Sequence, residues 1–252
     1  MTNKLKHFIG NWKMFGDSKS FKIINKINKF SFKTRRQHKK KIILCIPNTL
    51  IYPFREKLRS KFISLGAQNS DYHKGFGPFT GSISSAMLKN AGAEYVILGH
   101  SENRLEGETN DLIKRKIQSA LQESLNVIFC IGENSIEKKR KKTFEILRKQ
   151  IKNSLIKKLN VSKIIIAYEP VWAIGTNKIP SSHVLKKNII FIKNVLKNIF
   201  KKNKLPKILY GGSINHQNVK LFSNISEIDG FLIGGASQSS KKFIDIIKNY
   251  YK

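Results

Sequence analysis

Short apolar runs alternate along the chain with longer segments in which apolar residues recur every three or four positions. The short runs are rich in Val, Ile and aromatic residues, a composition that favours strands. The longer segments have the period of amphipathic helices. The pattern predicts strands at residues 6–10, 41–46, 62–68, 95–99, 127–132, 163–169, 207–211 and 230–235. It predicts helices at residues 18–30, 49–60, 82–91, 106–124, 135–158, 181–202, 216–223 and 238–250.

The order of these elements indicates an α/β fold. Strands that alternate with helices are typical of parallel strands joined by crossover helices. Eight such repeats in 252 residues, without a Pro- or Ser-rich linker, match the size of a closed (β/α)8 barrel. We therefore expect a single domain over residues 1–252. An open doubly wound sheet remains possible from periodicity alone, although no G-x-G-x-x-G segment follows the first predicted strand.

The composition is strongly basic. The 48 Lys and Arg residues outnumber 16 Asp and Glu residues, which gives a formal net charge of +32. Such a charge could serve to bind a polyanion. However, the lysines are spread along almost the whole chain, and the densest clusters, at 35–41 and 138–142, lack the interleaved aromatic residues of a single-strand-binding surface. Lys, Asn and Ile are in excess together, as an A+T-biased coding sequence would produce, so we expect no nucleic-acid partner.

Composition also excludes several protein classes. Hydrophobic residues make up 40% of the chain, enough for a core, which excludes general disorder. No apolar stretch approaches the roughly 18 to 20 residues that a membrane-spanning helix needs, and the N-terminus has no continuous apolar signal core. We therefore expect a cytoplasmic protein with no membrane partner. Cys45 and Cys130 lie in apolar runs and are interpreted as buried thiols, so a disulfide framework is excluded.

Residues with useful chemistry stand at the ends of the predicted strands. Lys13, His100 and Glu169 stand at or just after the first, fourth and sixth strands. In a barrel the carboxyl ends of the strands meet at one face, so a cation, an imidazole and a carboxylate would converge on one small substrate. Glycine pairs at 211–212 and 234–235 offer backbone N–H groups to a phosphate. Each feature alone is more often structural, but their common position predicts an active site.

Eight segments spread over the chain carry motifs of a known family. They are FIGNWKM (8–14), AQN (67–69), GPFTG (77–81), YVILGHSE (95–102), CIGE (130–133), AYEPVWAIGT (167–176), LYGGSI (209–214) and GFLIGGAS (230–237). Together they resemble the triosephosphate isomerase family. The resemblance implies a TIM barrel, a homodimer and the interconversion of dihydroxyacetone phosphate and glyceraldehyde 3-phosphate in glycolysis and gluconeogenesis. One alternative is a basic barrel scaffold or nucleic-acid-binding protein that has lost isomerase activity, and another is a different barrel enzyme that acts on a phosphorylated sugar.

The resemblance also assigns roles to individual residues. Glu169 would be the base that removes a carbon-bound proton, and His100 a neutral electrophile at the start of a short helix. Lys13 would supply fixed positive charge, and Glu102 would pair with it. Residues 170–180 would form a mobile lid. The substrate would also contact Asn11 and the backbone N–H groups of Gly175, Ser213, Gly234 and Gly235. No metal or organic cofactor is expected, because protein groups supply every function.

Three positions depart from the family pattern. Ser82 follows GPFTG where a Glu is usual, and Asn103 replaces the first of two Arg residues after HSE. In the family that Glu and that Arg form an ion pair across the dimer interface, so both partners are lost together. In the lid, residues 177–180 replace the usual Gly-Lys-Thr/Ser-Ala. The Ala would give its N–H to Tyr210, whereas Pro180 has no N–H to give.

Overall fold

The barrel is closed by eight parallel strands. The computed structural model describes residues 4–58, 62–176, 178–201 and 204–252. Within these ranges each strand pairs with the next in chain order, and the last strand pairs with the first. The strands are β1 Lys6–Asn11, β2 Lys40–Cys45, β3 Ser64–Ala67, β4 Tyr95–Leu98, β5 Asn126–Ile131, β6 Ile164–Tyr168, β7 Lys207–Gly211 and β8 Gly230–Ile233.

Helices follow the strands and surround the barrel. In the described ranges they are α1 Phe21–Lys33, α2 Asn48–Lys57, α3 Ser85–Asn90, α4 Ser101–Leu105, α5 Asn110–Gln122, α6 Ser135–Lys139, α7 Thr143–Ser154, α8 Ser182–Phe200 and α9 Ser240–Tyr250. Short 3-10 segments lie at Ser18–Ser20, Val161–Lys163, Val171–Ala173, Val219–Phe222 and Gly235–Gln238. Among the residues that the structure describes, none of the helices is long and apolar enough to cross a bilayer.

The predicted (β/α)8 barrel is confirmed, and the open doubly wound sheet is excluded. The deciding feature is the pairing of β1 with β8, from His7 opposite Gly230 to Gly10 opposite Ile233. A doubly wound sheet would leave two unpaired edges, whereas this pairing removes both.

The prediction of one helix over 135–158 is wrong. α6 ends at Lys139, and α7 begins at Thr143. Between them Lys141 has a φ of 57°, a left-handed backbone that a right-handed helix cannot contain. Residues 137–143 carry no apolar side chain, and α6 has no buried residue, so the apolar pattern supported neither a continuous helix here nor a position for the turn.

Three other helix predictions needed shorter bounds. Residues 106–109 precede α5, because Thr109 caps it by accepting the N–H of Leu112 at 3.2 Å. The predicted helix at 216–223 is a single 3-10 segment, Val219–Phe222, and the one predicted at 82–91 starts at Ser85. The predicted helix ends at 59–60 and at 202 lie outside the described residues.

Alternate residues of the strands face two different cores. Ile9 belongs to the cluster inside the barrel, while its neighbour Phe8 packs outward against the helices. Cys45 and Cys130 are buried in the inner cluster, as the sequence predicted. Because apolar side chains fill the barrel, polar chemistry is confined to its two ends.

The amino end of the barrel holds a buried lysine. Lys6 is 1% exposed, and its Nζ donates to the carbonyl oxygen of Ile228. The nearby Asp229 forms an ion pair with Lys4, whose Nζ lies 2.6 Å from Oδ1 of Asp229. Burial, assisted by the charge of Lys4, lowers the pKa of Lys6 to about 8, although Asp229 opposes the shift. The charged form of Lys6 is therefore disfavoured in the folded protein.

We expect Lys6 to make the free energy of unfolding rise between about pH 8 and 10.5. Folded Lys6 loses its proton near pH 8, whereas an unfolded lysine keeps it to about pH 10.4, so the unfolded state binds more protons in this window. Lys6→Met should lack this rise, which we estimate at about 1 to 3 kcal/mol. Urea unfolding at pH 8 and pH 10 measures it. Lys22→Met, on the exposed face of α1, is the control, and equal pH dependence of both variants would contradict the assignment.

Candidate active site

A cleft of about 180 Å³ opens at the carboxyl ends of the strands. Every residue predicted to act directly on the substrate lines it: Asn11, Lys13, His100, Glu169, Gly175, Ser213, Gly234 and Gly235. The two residues predicted to support them, Glu102 and Tyr210, are not part of its lining. Closure of the barrel therefore brings together residues from β1, β4, β6, β7 and β8, as strand-end chemistry predicted.

The imidazole of His100 faces the carboxylate of Glu169. Nε2 of His100 lies 3.6 Å from Oε1 of Glu169, and both side chains are buried. His100 caps the amino end of α4, where its Nδ1 accepts the backbone N–H of Glu102 at 3.3 Å. An accepting Nδ1 carries no proton, so the single proton of the neutral ring is on Nε2. The ring therefore presents an N–H donor to the cleft.

The carboxylate of Glu169 is held in a narrow space. A Cβ at Gly211 would lie 2.6 Å from Cγ of Glu169, so the glycine of the neighbouring strand makes room for this side chain. Oε2 of Glu169 is buried and has no hydrogen-bond partner among the described residues. Cys130 lies beside the carboxylate, and burial raises the pKa of its thiol well above the usual range. A buried carboxylate oxygen without a donor is available to accept a proton.

Lys13 enters the cleft from a strained turn after β1. Its φ is 56°, a left-handed conformation that is uncommon for a residue with a Cβ. The preceding Trp12 is fixed on both sides: its Nε1 donates to the carbonyl oxygen of Ser237 at 3.0 Å, and its own carbonyl accepts from Gln238 at 2.7 Å. The backbone N–H of Lys13 donates to Oδ1 of Asn11 at 3.1 Å. These contacts hold the strained residue in place.

The predicted pair of Lys13 and Glu102 is present. Nζ of Lys13 lies 2.5 Å from Oε1 of Glu102, and their side chains are 31% and 52% exposed. An ion pair this exposed adds little to stability. The pair instead orients the ammonium group of Lys13 at the cleft. The other oxygen of Glu102, Oε2, lies 3.5 Å from Nδ1 of His100, so Glu102 stands between the two residues.

Glycines form the opposite wall of the cleft. A Cβ added at Gly175 or Gly235 would meet no atom within 4 Å, and one at Gly234 would meet Cε of Lys13 at 3.7 Å. Gly235 also begins the 3-10 segment that ends at Gln238. The first N–H groups of a helical segment lack partners within it and attract anions. This wall lets a phosphate approach the backbone closely.

The first turn of residues 170–180, the predicted lid, is anchored at several points. Nε1 of Trp172 donates to Oε1 of Glu133 at 2.9 Å, and the hydroxyl of Tyr168 donates to the same carboxylate at 3.2 Å. Oγ of Ser213 donates to the carbonyl oxygen of Ala173 at 2.7 Å. Burial raises the pKa of Glu133, while the bond from Trp172 opposes that shift. Glu133 appeared in the sequence only as the end of the CIGE motif; its place after β5 was the signal that could have singled it out.

The chain is similar to known proteins over nearly its whole length. A family model described as triosephosphate isomerase matches residues 6–250. The chain belongs to the triosephosphate isomerase family. Triosephosphate isomerases of Dictyoglomus turgidum and Aquifex aeolicus are 40% and 39% identical over 247 and 244 residues, each covering 95% of this chain and 97% of the relative. The crystal structure of the Bartonella henselae enzyme covers 98% of this chain and 99% of its own, with a TM-score of 0.88 and 33% identity.

Two residues near the predicted interface, the departing Ser82 and the Arg104 that follows Asn103, form hydrogen bonds within the chain. Oγ of Ser82 donates to Oδ2 of Asp71 at 2.8 Å, inside its own loop. Arg104 turns inward, where its guanidinium donates to the carbonyl oxygen of Gly99 at 2.8 Å and to Asn110 at 2.7 Å. Neither Ser82 nor Arg104 therefore depends on a second subunit for these bonds.

Tyr210, the residue expected to accept a bond from the lid, has a buried hydroxyl. The phenol oxygen of Tyr210 is buried and has no hydrogen-bond partner among the residues that the structure describes. It packs against Gly212, where an added Cβ would lie 2.4 Å away. Pro180 is buried at the far end of the lid, while Asn177 lies outside the described residues.

Proposed function

We propose that the chain is a cytoplasmic isomerase that interconverts dihydroxyacetone phosphate and D-glyceraldehyde 3-phosphate through an enediolate. The observation that supports this most strongly is the Glu169 carboxylate, 3.6 Å from Nε2 of His100 in a cleft that also holds Lys13. A scaffold or nucleic-acid-binding protein has no use for a base opposite an electrophile, so that alternative is not favoured. The reaction is a step of glycolysis and gluconeogenesis.

Glu169 and His100 divide the proton transfer between them. Glu169 takes the proton from a carbon next to the carbonyl, and the C–H electron pair forms the C=C bond of the enediolate. The carbonyl oxygen becomes negative and accepts a hydrogen bond from Nε2–H of His100. His100 then moves a proton between the two oxygens, and Glu169 returns its proton to the adjacent carbon. All atoms and charges are balanced at the end of the cycle.

The remaining residues bind and orient the substrate. Lys13 places positive charge between the enediolate and the phosphate, and Asn11 adds a neutral donor. Backbone N–H groups of Gly175, Ser213, Gly234 and Gly235 bind the phosphate. These protein groups account for every step, so the scheme needs neither a metal nor an organic cofactor. Residues 170–180 close over the substrate to exclude water from the enediolate.

The working form in this proposal is a homodimer. Phe76 is 86% exposed and Phe79 is 40% exposed around the GPFTG segment, and Met14 is fully exposed beside Lys13. Neighbouring exposed apolar side chains mark protein interfaces, and Phe76 and Phe79 belong to one loop. By the resemblance, the GPFTG loop inserts into the neighbouring subunit. Loss of the Glu–Arg pair costs little there, because it also removes the cost of desolvating two charges.

Glu169→Asp should lower kcat by about 100-fold and change KM much less. The shorter side chain withdraws the base from the substrate carbon without removing a phosphate contact, and displacement by about 1 Å can cost this much. A coupled isomerase assay measures both constants. Glu106→Asp, on the exposed surface, is the matched control. Equal kcat in Glu169→Asp and the parent would refute the role of Glu169.

Sedimentation should show a dimer at micromolar protein and physiological salt. Repulsion between two strongly basic chains is the main force against it, and salt screens that repulsion. We therefore expect the dimer fraction to rise with ionic strength. A sample that remains monomeric throughout this range would rule out the homodimer.

Pro180→Ala should lower the methylglyoxal formed per isomerisation event by about two- to tenfold. The alanine supplies an N–H that the phenol of Tyr210 can accept when the lid closes, and a net hydrogen bond is worth about 0.5 to 1.5 kcal/mol. A better-closed lid retains the enediolate and suppresses loss of phosphate. Product analysis measures the ratio. When Tyr210→Phe is added to Pro180→Ala, the decrease in methylglyoxal per isomerisation event should disappear. If Pro180→Ala leaves this ratio unchanged, the lid closes without the bond to Tyr210.

A further inference from the structure

One lysine of the basic cluster at 138–142 lies directly on the lid. Nζ of Lys138 is 3.0 Å from the centroid of the Trp172 ring. The edge of the same ring donates its N–H to Glu133 at 2.9 Å. Trp172 is therefore held between a cation on its face and a carboxylate at its edge. We refer to Lys138, Trp172 and Glu133 as the lid clamp.

The lysine of the lid clamp is presented by a well-fixed helix. Asn134 and Glu137 form a capping box at the start of α6: Oδ1 of Asn134 accepts the N–H of Glu137 at 2.9 Å, and Oε2 of Glu137 accepts the N–H of Asn134 at 2.7 Å. This box directly follows Glu133, so the carboxylate and the cation of the clamp belong to one capped segment of six residues. Trp172 meets a preformed site when the lid adopts the observed position.

The observed lid position leaves the cleft open. Gly175 in the lid is exposed, and the side chain of Lys13 is 31% exposed to solvent through the mouth of the cleft. Contacts that exist in one lid position and are lost in another shift the balance toward the first. The clamp acts on the turn that comes just after Glu169, so it opposes any movement of that turn over the substrate.

We propose that Lys138 is a positioning residue that stabilises the open lid through its contact with Trp172. The inference rests on the proposed function, because the lid serves that reaction. A cation over an aromatic face at a partly exposed site contributes enough to change the balance between lid positions by about two- to fivefold. Loss of Lys138 therefore favours the closed lid and tightens the binding of phosphorylated ligands.

Lys138→Met should lower the KM for triose phosphate and the Kd for glycerol 3-phosphate by about two- to fivefold, without raising kcat. Glycerol 3-phosphate is an unreactive relative of the substrate, and calorimetry measures its binding. Damage to the site would have the opposite signature, a higher KM with a lower kcat. Acrylamide quenching of tryptophan fluorescence gives a further test: it should increase because Trp172 is released, while Trp12 is fully buried.

Two variants serve as controls. Lys139→Met removes the same charge from the next exposed position of α6, and its KM, Kd and quenching should match those of the parent. Lys138→Arg keeps a cation at position 138 and should retain the parent values. The proposal is overturned if Lys138→Met and Lys139→Met give the same Kd and the same quenching. If the parent lacks isomerase activity but Lys138→Met still tightens glycerol 3-phosphate binding, the proposed function fails while the lid clamp stands.

Discussion

The hydrogen bonds between β1 and β8 are the constraint on which the site depends. They turn eight strand–helix repeats into a ring, and the ring places the ends of β1, β4 and β6 around one cleft. Lys13 and Glu169 are far apart in the chain, and no local preference brings them together. Because the barrel is filled by apolar side chains, the ring is rigid, and polar groups at its carboxyl end keep defined separations.

Two residues of the cleft have energetically unfavourable local environments or backbone conformations. Lys13 has a left-handed backbone, and an oxygen of Glu169 is buried without a partner among the described residues. Each is energetically costly, and each is compensated by its surroundings. The bonds of Trp12 hold the turn that carries Lys13, and Gly211 gives Glu169 its space. The same features that cost stability place the ammonium group of Lys13, oriented by Glu102, and an unpartnered oxygen of Glu169 in one cleft.

Electrostatics at the site is local, despite the net charge of +32. Glu102 orients Lys13, and Glu133 receives the N–H of Trp172. A backbone N–H of α4 determines which nitrogen of His100 carries the proton. These interactions act over a few ångströms, within the screening length of the solution, so the many distant lysines have little influence on them. Lys138 differs from the rest of its cluster because it touches the lid.

The sequence by itself determined the order of strands and helices, because strand and helix periods depend on neighbouring positions. The barrel and eight of the residues that line the cleft followed from motifs at the strand ends and from the family resemblance. The tertiary structure alone decided the proton position on His100, the bond from Trp172 to Glu133 and the contact of Lys138 with Trp172. It also decided the break at Lys141, where the backbone is left-handed and the surrounding residues carry no apolar side chain that could mark a helix end. Some of these features join segments that are distant in the chain, and the break depends on a single dihedral angle. The pattern of hydrophobic residues predicts neither kind of feature.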